Sequence, residues 1–156
     1  MFGKAGMAGL GLMLMTLPAL ACTLPPGAAA HTREILSWAN AERAARSLPR
    51  LAPSQSLTQA AQGQACDLAD MGRLTHSGKN GSDLRGRLRG VGYRLRTAVE
   101  NIASSSQGGA APAMRLWRES AGHWANLLNP QITEAGIAIA TDGTRTYYVF
   151  VGAAPR

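Results

Sequence analysis

The sequence predicts an α+β fold, and three observations carry that expectation. Apolar residues recur at helical spacing from about residue 32 to 128, strict alternation appears only near the end, and Asp142-Gly143 sits between the last two apolar runs. Helices first and a hairpin last describe an α+β chain. Its 156 residues suffice for one core, and 46% apolar against 16% charged residues excludes a disordered polypeptide. No internal repeat is visible.

Residues 1–21 read as an export signal. Lys4 precedes the apolar run AGMAGLGLMLMTL, Pro18 breaks it, and Ala19-Leu20-Ala21 forms a small-x-small cleavage site. The run is too short and too rich in glycine to favour spanning a bilayer. Residues 22–31 form an extended lead of Pro, Gly and Ala. A first helix is expected over 32–48 with Thr32 as its N-cap, and Pro49 and Pro53 bracket the connection that follows. The second helix starts at Ser54 or Ser56 and ends near Gly72. THSGKNGSD, residues 75–83, is a polar loop. A short helix over 83–90 is stopped by Gly90 and Gly92, residues 97–103 suit a short strand, and 104–109 a loop.

One long helix is expected over 111–128. Pro112 suits its first turn, and Ala113, Leu116, Trp117, Ser120, Trp124 and Leu127 line one face before Pro130 ends it. AGIAIAT and RTYYVFV then form the two arms of the hairpin.

Sixteen Lys and Arg against nine Asp and Glu give a formal charge of +7. An exported chain does not meet genomic DNA, so no nucleic-acid partner is expected and the charge points to anionic lipid or polysaccharide. Arg85, Arg87, Arg89, Arg94 and Arg96 fall within twelve residues, either as an anion-binding patch or as a solvated face. Only Tyr93 interleaves with them, too little for a base-stacking platform.

Two cysteines, Cys22 and Cys66, exclude a disulfide-dense scaffold and a four-cysteine zinc site. Cys22 follows the expected cleavage point, so it could carry a lipid, although Ala19 stands where lipoproteins usually have Leu. On a helical wheel Cys66 lies opposite Leu57, Ala61, Ala65 and Leu68, on a polar face where a lone thiol is out of place. A Cys22–Cys66 disulfide, a lipid anchor on Cys22 and two free thiols are the three readings.

Chemistry has few places to sit. His76, Glu100, Glu119 and His123 adjoin structural punctuation, and Glu119 and His123 would be i, i+4 neighbours on the long helix. Two imidazoles and two carboxylates suit a divalent metal, zinc most naturally, or acid–base work; a hydrogen-bonded structural cluster is the competing reading. H-E-x-x-H and C-x-x-C are absent, and the residues around Ser120 lack the first glycine of a nucleophile elbow.

The motifs nevertheless fall in a familiar order. Asn40-x-x-Arg43, Thr75-His76-Ser77-Gly78, Arg87 with Gly92-Tyr93, and Glu100-Asn101-Ile102-Ala103 occur in sequence. The run from Trp117 through Ser120, Gly122-His123 and Asn126 to Asn129-Pro130 follows, then Glu134-Ala135-Gly136-Ile137. Together, over about residues 32–152, these resemble the CAP superfamily. This SCP-like group includes cysteine-rich secretory, antigen-five and pathogenesis-related proteins, and the match is to its short bacterial members. The resemblance implies a single domain over 32–156 built as a three-layer α-β-α sandwich with a small antiparallel sheet. It also implies a central cavity in which His76, Glu100 and His123, with Glu119, could hold a divalent metal. Val99 stands where the family commonly has Gly. The superfamily has no single activity. The implied function is an envelope binding module, periplasmic or extracellular, for a metal or small ligand. A metal-assisted hydrolase of peptide or envelope polymer, and a lipid or sterol binder, are the alternatives.

Overall fold

A computed structural model describes residues 22–156, so the expected export signal over 1–21 lies outside the described residues. The apolar run RTYYVFV becomes the strand around which the other elements are laid. It runs from Thr146 to Pro155 as β4 and is buried along nearly its whole length. Alternation sends Tyr148 and Phe150 to one face and Tyr147, Val149, Val151 and Ala153 to the other. β3, Glu134–Thr141, joins it through the Asp142-Gly143 turn, and β2, Leu95–Ser105, pairs on its other side; both pairings are antiparallel. A two-residue strand, β1 at Ala52–Pro53, adds to β3 in parallel, giving the order β1-β3-β4-β2. The sheet is therefore mixed and not wholly antiparallel. Two residues ending in proline leave no alternation for a sequence to display.

Helices cover both faces. α1 (Ala28–Ala44), α4 (Ala111–Glu119) and α5 (Ala121–Leu127) pack Ile35, Ala39, Ala113, Trp117 and Leu127 against Tyr148 and Phe150. α2 (Gln55–Met71) and α3 (Leu84–Gly90) pack Leu57, Ala61, Ala65, Leu68 and Leu88 against the opposite face. The result is a three-layer α-β-α sandwich. Small residues on α2 let it lie almost on the sheet. A Cβ at Gly136 of β3 would stand only 2.1 Å from the Thr58 backbone nitrogen. No helix among the described residues is long and apolar enough to cross a membrane.

Several boundaries differ from those expected, among them the end of α1, at Ala44 and not 48. α1 starts at Ala28, after Gly27 turns the chain in left-handed geometry, so the last residues of the supposed 22–31 lead are helical. Thr32 then lies inside the helix and its hydroxyl donates to the Ala29 carbonyl instead of capping. β2 extends further at both ends than 97–103. The expected 111–128 helix is two helices. Ser120 is extended, at φ −101° and ψ 117°, and its hydroxyl accepts the His123 N–H at 3.5 Å as the N-cap of α5. Serine bonds the backbone more readily at a helix start than inside a helix. The apolar stripe continued across the break because both helices bury residues on the same sheet face.

Two buried polar side chains tie the layers. Asn40 donates to the Leu51 carbonyl at 3.0 Å and accepts the Leu51 N–H at 2.7 Å. Arg43, fully buried, donates to the carbonyls of Pro49 (2.8 Å), Leu127 (3.0 Å), Asn129 (2.9 Å) and Ile132 (3.4 Å). Cys22 and Cys66 form a disulfide, and the Thr23 carbonyl accepts the Thr141 N–H at 2.9 Å, so the lead is stapled beside the end of β3. The Cys22 sulfur that a lipid would occupy is engaged in that bridge.

These contacts generate three expectations. Gly136→Ala drives a methyl into the α2 backbone and should cost at least about 3 kcal/mol in urea unfolding. Gly63→Ala, in the open on α2, should be neutral or mildly stabilising. Equal effects of the two would contradict the close approach. Cys22→Ser/Cys66→Ser opens a loop with a sequence separation of 44, and loop entropy puts the loss at about 4 kcal/mol. Burial raises the phenol pKa of Tyr93, Tyr147 and Tyr148 above the ordinary value; hydrogen bonds to Glu134 (2.7 Å) and Asp142 (2.9 Å) add to it at Tyr93 and Tyr147. A raised folded pKa means a contribution present in full below the ordinary value of about 10 and lost as pH climbs past it. Phenolate absorbance should therefore stay low until unfolding begins in strong alkali, and Tyr93→Phe should make the alkaline loss of stability shallower.

Candidate functional site

α2 ends at Gly72, which is left-handed, and the chain turns into the loop that carries His76. Gln64, buried on α2, holds that loop by donating to the Thr75 carbonyl at 2.6 Å. Asp83 caps α3 by accepting the Gly86 N–H at 2.7 Å, and so fixes the helix that bears Arg87. Between them β2 presents Glu100.

Glu100 is gripped from two sides. His76 Nδ1 donates to Oε1 at 2.8 Å and Arg87 Nη2 donates to Oε2 at 2.5 Å. The Glu100 side chain is 3% exposed and Arg87 7%, whereas His76 is 60% exposed. Arg87 also donates to the carbonyls of His76 (3.1 Å) and Ser82 (3.0 Å), closing the loop onto α3. His76 and Glu100 line one side of an open groove of about 430 Å³, with Ser77, Leu84, Leu95 and Val99 among its other walls.

His123 arrives from the other helical layer. Asn101, fully buried on β2, donates to the His123 carbonyl at 2.8 Å, and Asn126 donates to Asn101 Oδ1 at 2.8 Å and to the Glu100 carbonyl at 3.3 Å. These bonds set the register of α5 along β2. His123 Nδ1 is buried and has no hydrogen-bond partner among the described residues. Burial first, and the charge of His76 second, lower its pKa and so favour the neutral imidazole.

The four expected site residues thus separate. His76 and Glu100 bond directly, and His123 comes near. Glu119 does not join them: it is 62% exposed, pairs with Arg115 at 3.6 Å, and lines a different groove with Trp38 and Arg118. The break at Ser120 removes the i, i+4 relation on which its placement depended. Among the described residues no three His, Cys, Asp or Glu side chains converge to hold a metal, and both Glu100 oxygens already have partners. The expected set of two His and two Glu does not fit; two imidazoles are left as donors. Arg87 belongs to the site and not to the exposed arginine patch. In the sequence only its spacing to Gly92-Tyr93 set it apart. Asn101 and Asn126 were visible as motif letters, but their role as struts was not.

Residues 36–153 match the cysteine-rich secretory protein family, CAP. Bacillus subtilis YkwD, an uncharacterised protein, is 27% identical over 128 residues, covering 82% of this chain and 49% of that protein. The chain therefore spans about half the length of this curated relative. An extracellular protein with an SCP domain from Bacillus anthracis superposes with a TM-score of 0.69 at 27% identity, over 82% of this chain and 44% of that one. The structure of NaASP2 with Zn2+ superposes with a TM-score of 0.56 at 14% identity, over 83% of each chain. The matched span takes in His76, His123, Glu100, Arg87 and all four strands but for the last two residues of β4, and the chain belongs to the cysteine-rich secretory protein family.

Proposed function

We propose that the protein is an exported binding module whose groove takes up a small ligand against His76 and the Arg87-braced Glu100. The observation that carries this reading is a nearly fully buried carboxylate, held by a guanidinium and an imidazole, at an open groove of about 430 Å³. Such a buried pair is costly to desolvate and is weak support for stability alone. Its effect is orientation: with Nδ1–H spent on the carboxylate, His76 offers Nε2 outward in one tautomer. The extracellular relative and the disulfide, a bond suited to an oxidising compartment, support export.

A divalent cation could use only His76 and His123 from the protein and would complete its shell from ligand or solvent, so binding is weak. The zinc present with NaASP2 supports a cation in this family's fold. The hydrolase alternative gains little here. Glu100 is committed to Arg87, and the Ser120 hydroxyl is committed to the α5 backbone.

Zinc titration calorimetry at pH 7.5 tests the donor assignment. Wild type should take up zinc weakly, and His76→Ala/His123→Ala should lose that heat. Glu100→Gln, which loosens His76, should weaken binding about 10–100-fold. Glu119→Ala should behave as wild type. Equal heats in wild type and the double histidine variant would overturn the assignment.

A further inference from the structure

The five clustered arginines divide once the chain folds. Arg87 is buried on Glu100, and Arg96 turns to the Gln131 carbonyl. Arg85 and Arg89 stand exposed at i and i+4 on α3, where like charges repel. Gly92, at φ 73°, turns the chain back so that Arg94 joins them. A fourth guanidinium arrives from beyond β4: the Arg156 N–H donates to the Arg94 carbonyl at 2.8 Å, and Arg156 Nε donates to the Leu95 carbonyl at 3.1 Å.

Arg85, Arg89, Arg94 and Arg156, with Tyr93 and Leu95, line a pocket of about 220 Å³. No acidic residue is in that lining. None of the four guanidiniums pairs with a carboxylate among the described residues. Glu134, the carboxylate that reaches Tyr93, is held by its hydroxyl at 2.7 Å.

We propose that this pocket is a site for a phosphate group. Four guanidiniums exceed what one carboxylate can neutralise, and their planar forks match phosphate oxygens two at a time. A phosphomonoester, carrying close to two charges, meets that demand. The pocket shares Arg85 and Leu95 with the His76 groove, so a phosphate held here would mark one end of a ligand lying along both. The phosphate site stands independently of the cation reading of that groove.

The test is calorimetry with inorganic phosphate, at low salt with chelator present, on the chain over residues 22–156. Wild type should show saturable binding. Arg89→Ala/Arg94→Ala should weaken it by about tenfold or more, since two charge-assisted contacts are lost. Arg50→Ala/Arg73→Ala, which removes the same charge from exposed positions elsewhere, should bind as wild type, and so should His76→Ala. A second arm uses phosphatidylcholine vesicles with and without phosphatidate. Retention on the doped vesicles, lost in Arg89→Ala/Arg94→Ala, identifies a lipid source for the phosphate, and retention on neither identifies a soluble one. No saturable phosphate binding, an equal loss in the Arg50→Ala/Arg73→Ala control, or a loss confined to His76→Ala overturns the proposal.

Discussion

Arg43 is buried and pairs with no carboxylate among the described residues, and the frame of the molecule depends on how its charge is met. Its guanidinium reaches four carbonyls: one after α1, two at the end of α5, and one at the entry to β3. Burial lowers its pKa, yet a guanidinium keeps its proton in a protein, so the charge must be solvated by backbone. Those carbonyls are ones that turns and a helix end leave unsatisfied. One side chain therefore settles where α1 lies, where α5 stops, and how the chain enters the sheet. Asn40, one turn earlier, holds Leu51 in both directions and sets the approach to β1 and α2.

The candidate site follows from the position of β2 at the edge of that sheet. Successive residues of a strand face opposite layers. Glu100 faces the α2–α3 side, where Arg87 and His76 reach it; Asn101 faces α5, where it holds the His123 carbonyl. The two imidazoles thus belong to different layers, carried on opposite sides of an edge strand. This arrangement explains why His123 feels His76 while no three ligands converge. Glu100, the carboxylate on that edge strand, already bonds a partner through each of its oxygens.

Much of this was legible in the chain. The Asp142-Gly143 hairpin, the helical stripes and the two cysteines are local patterns, and local patterns survive folding. What escaped the sequence depended on tertiary partners. β1 exists only because β3 offers it an edge. The expected 111–128 helix had continuous apolar spacing, so the stripe hid the cap at Ser120, and the error carried Glu119 into a site it does not reach. Arg87 looked like one of five equivalent cations because nothing local distinguishes a buried arginine from an exposed one.

The arginines show why net charge says little about function until positions are known. All but two of the sixteen Lys and Arg residues are arginine, yet seven of those arginines alone meet four different environments. Arg43 is solvated by carbonyls and Arg87 by a carboxylate. Arg118 lies over Trp38 at 5.5 Å and Trp124 at 5.9 Å while also reaching Glu42, a contact that suits a weakly hydrated planar cation. Arg87 and Arg118 are each paired with a carboxylate, whereas Arg43 is held by carbonyl dipoles and keeps its net charge. Arg85, Arg89, Arg94 and Arg156 pair with no carboxylate among the described residues and share one pocket, which brings together the field of four positive charges where α3, the turn at Gly92 and the end of β4 meet. Focused in a concavity, that field attracts anions more strongly than the same charges spread over the surface would. The fold gathers four of the unpaired guanidiniums into one pocket and places it beside the groove that carries His76.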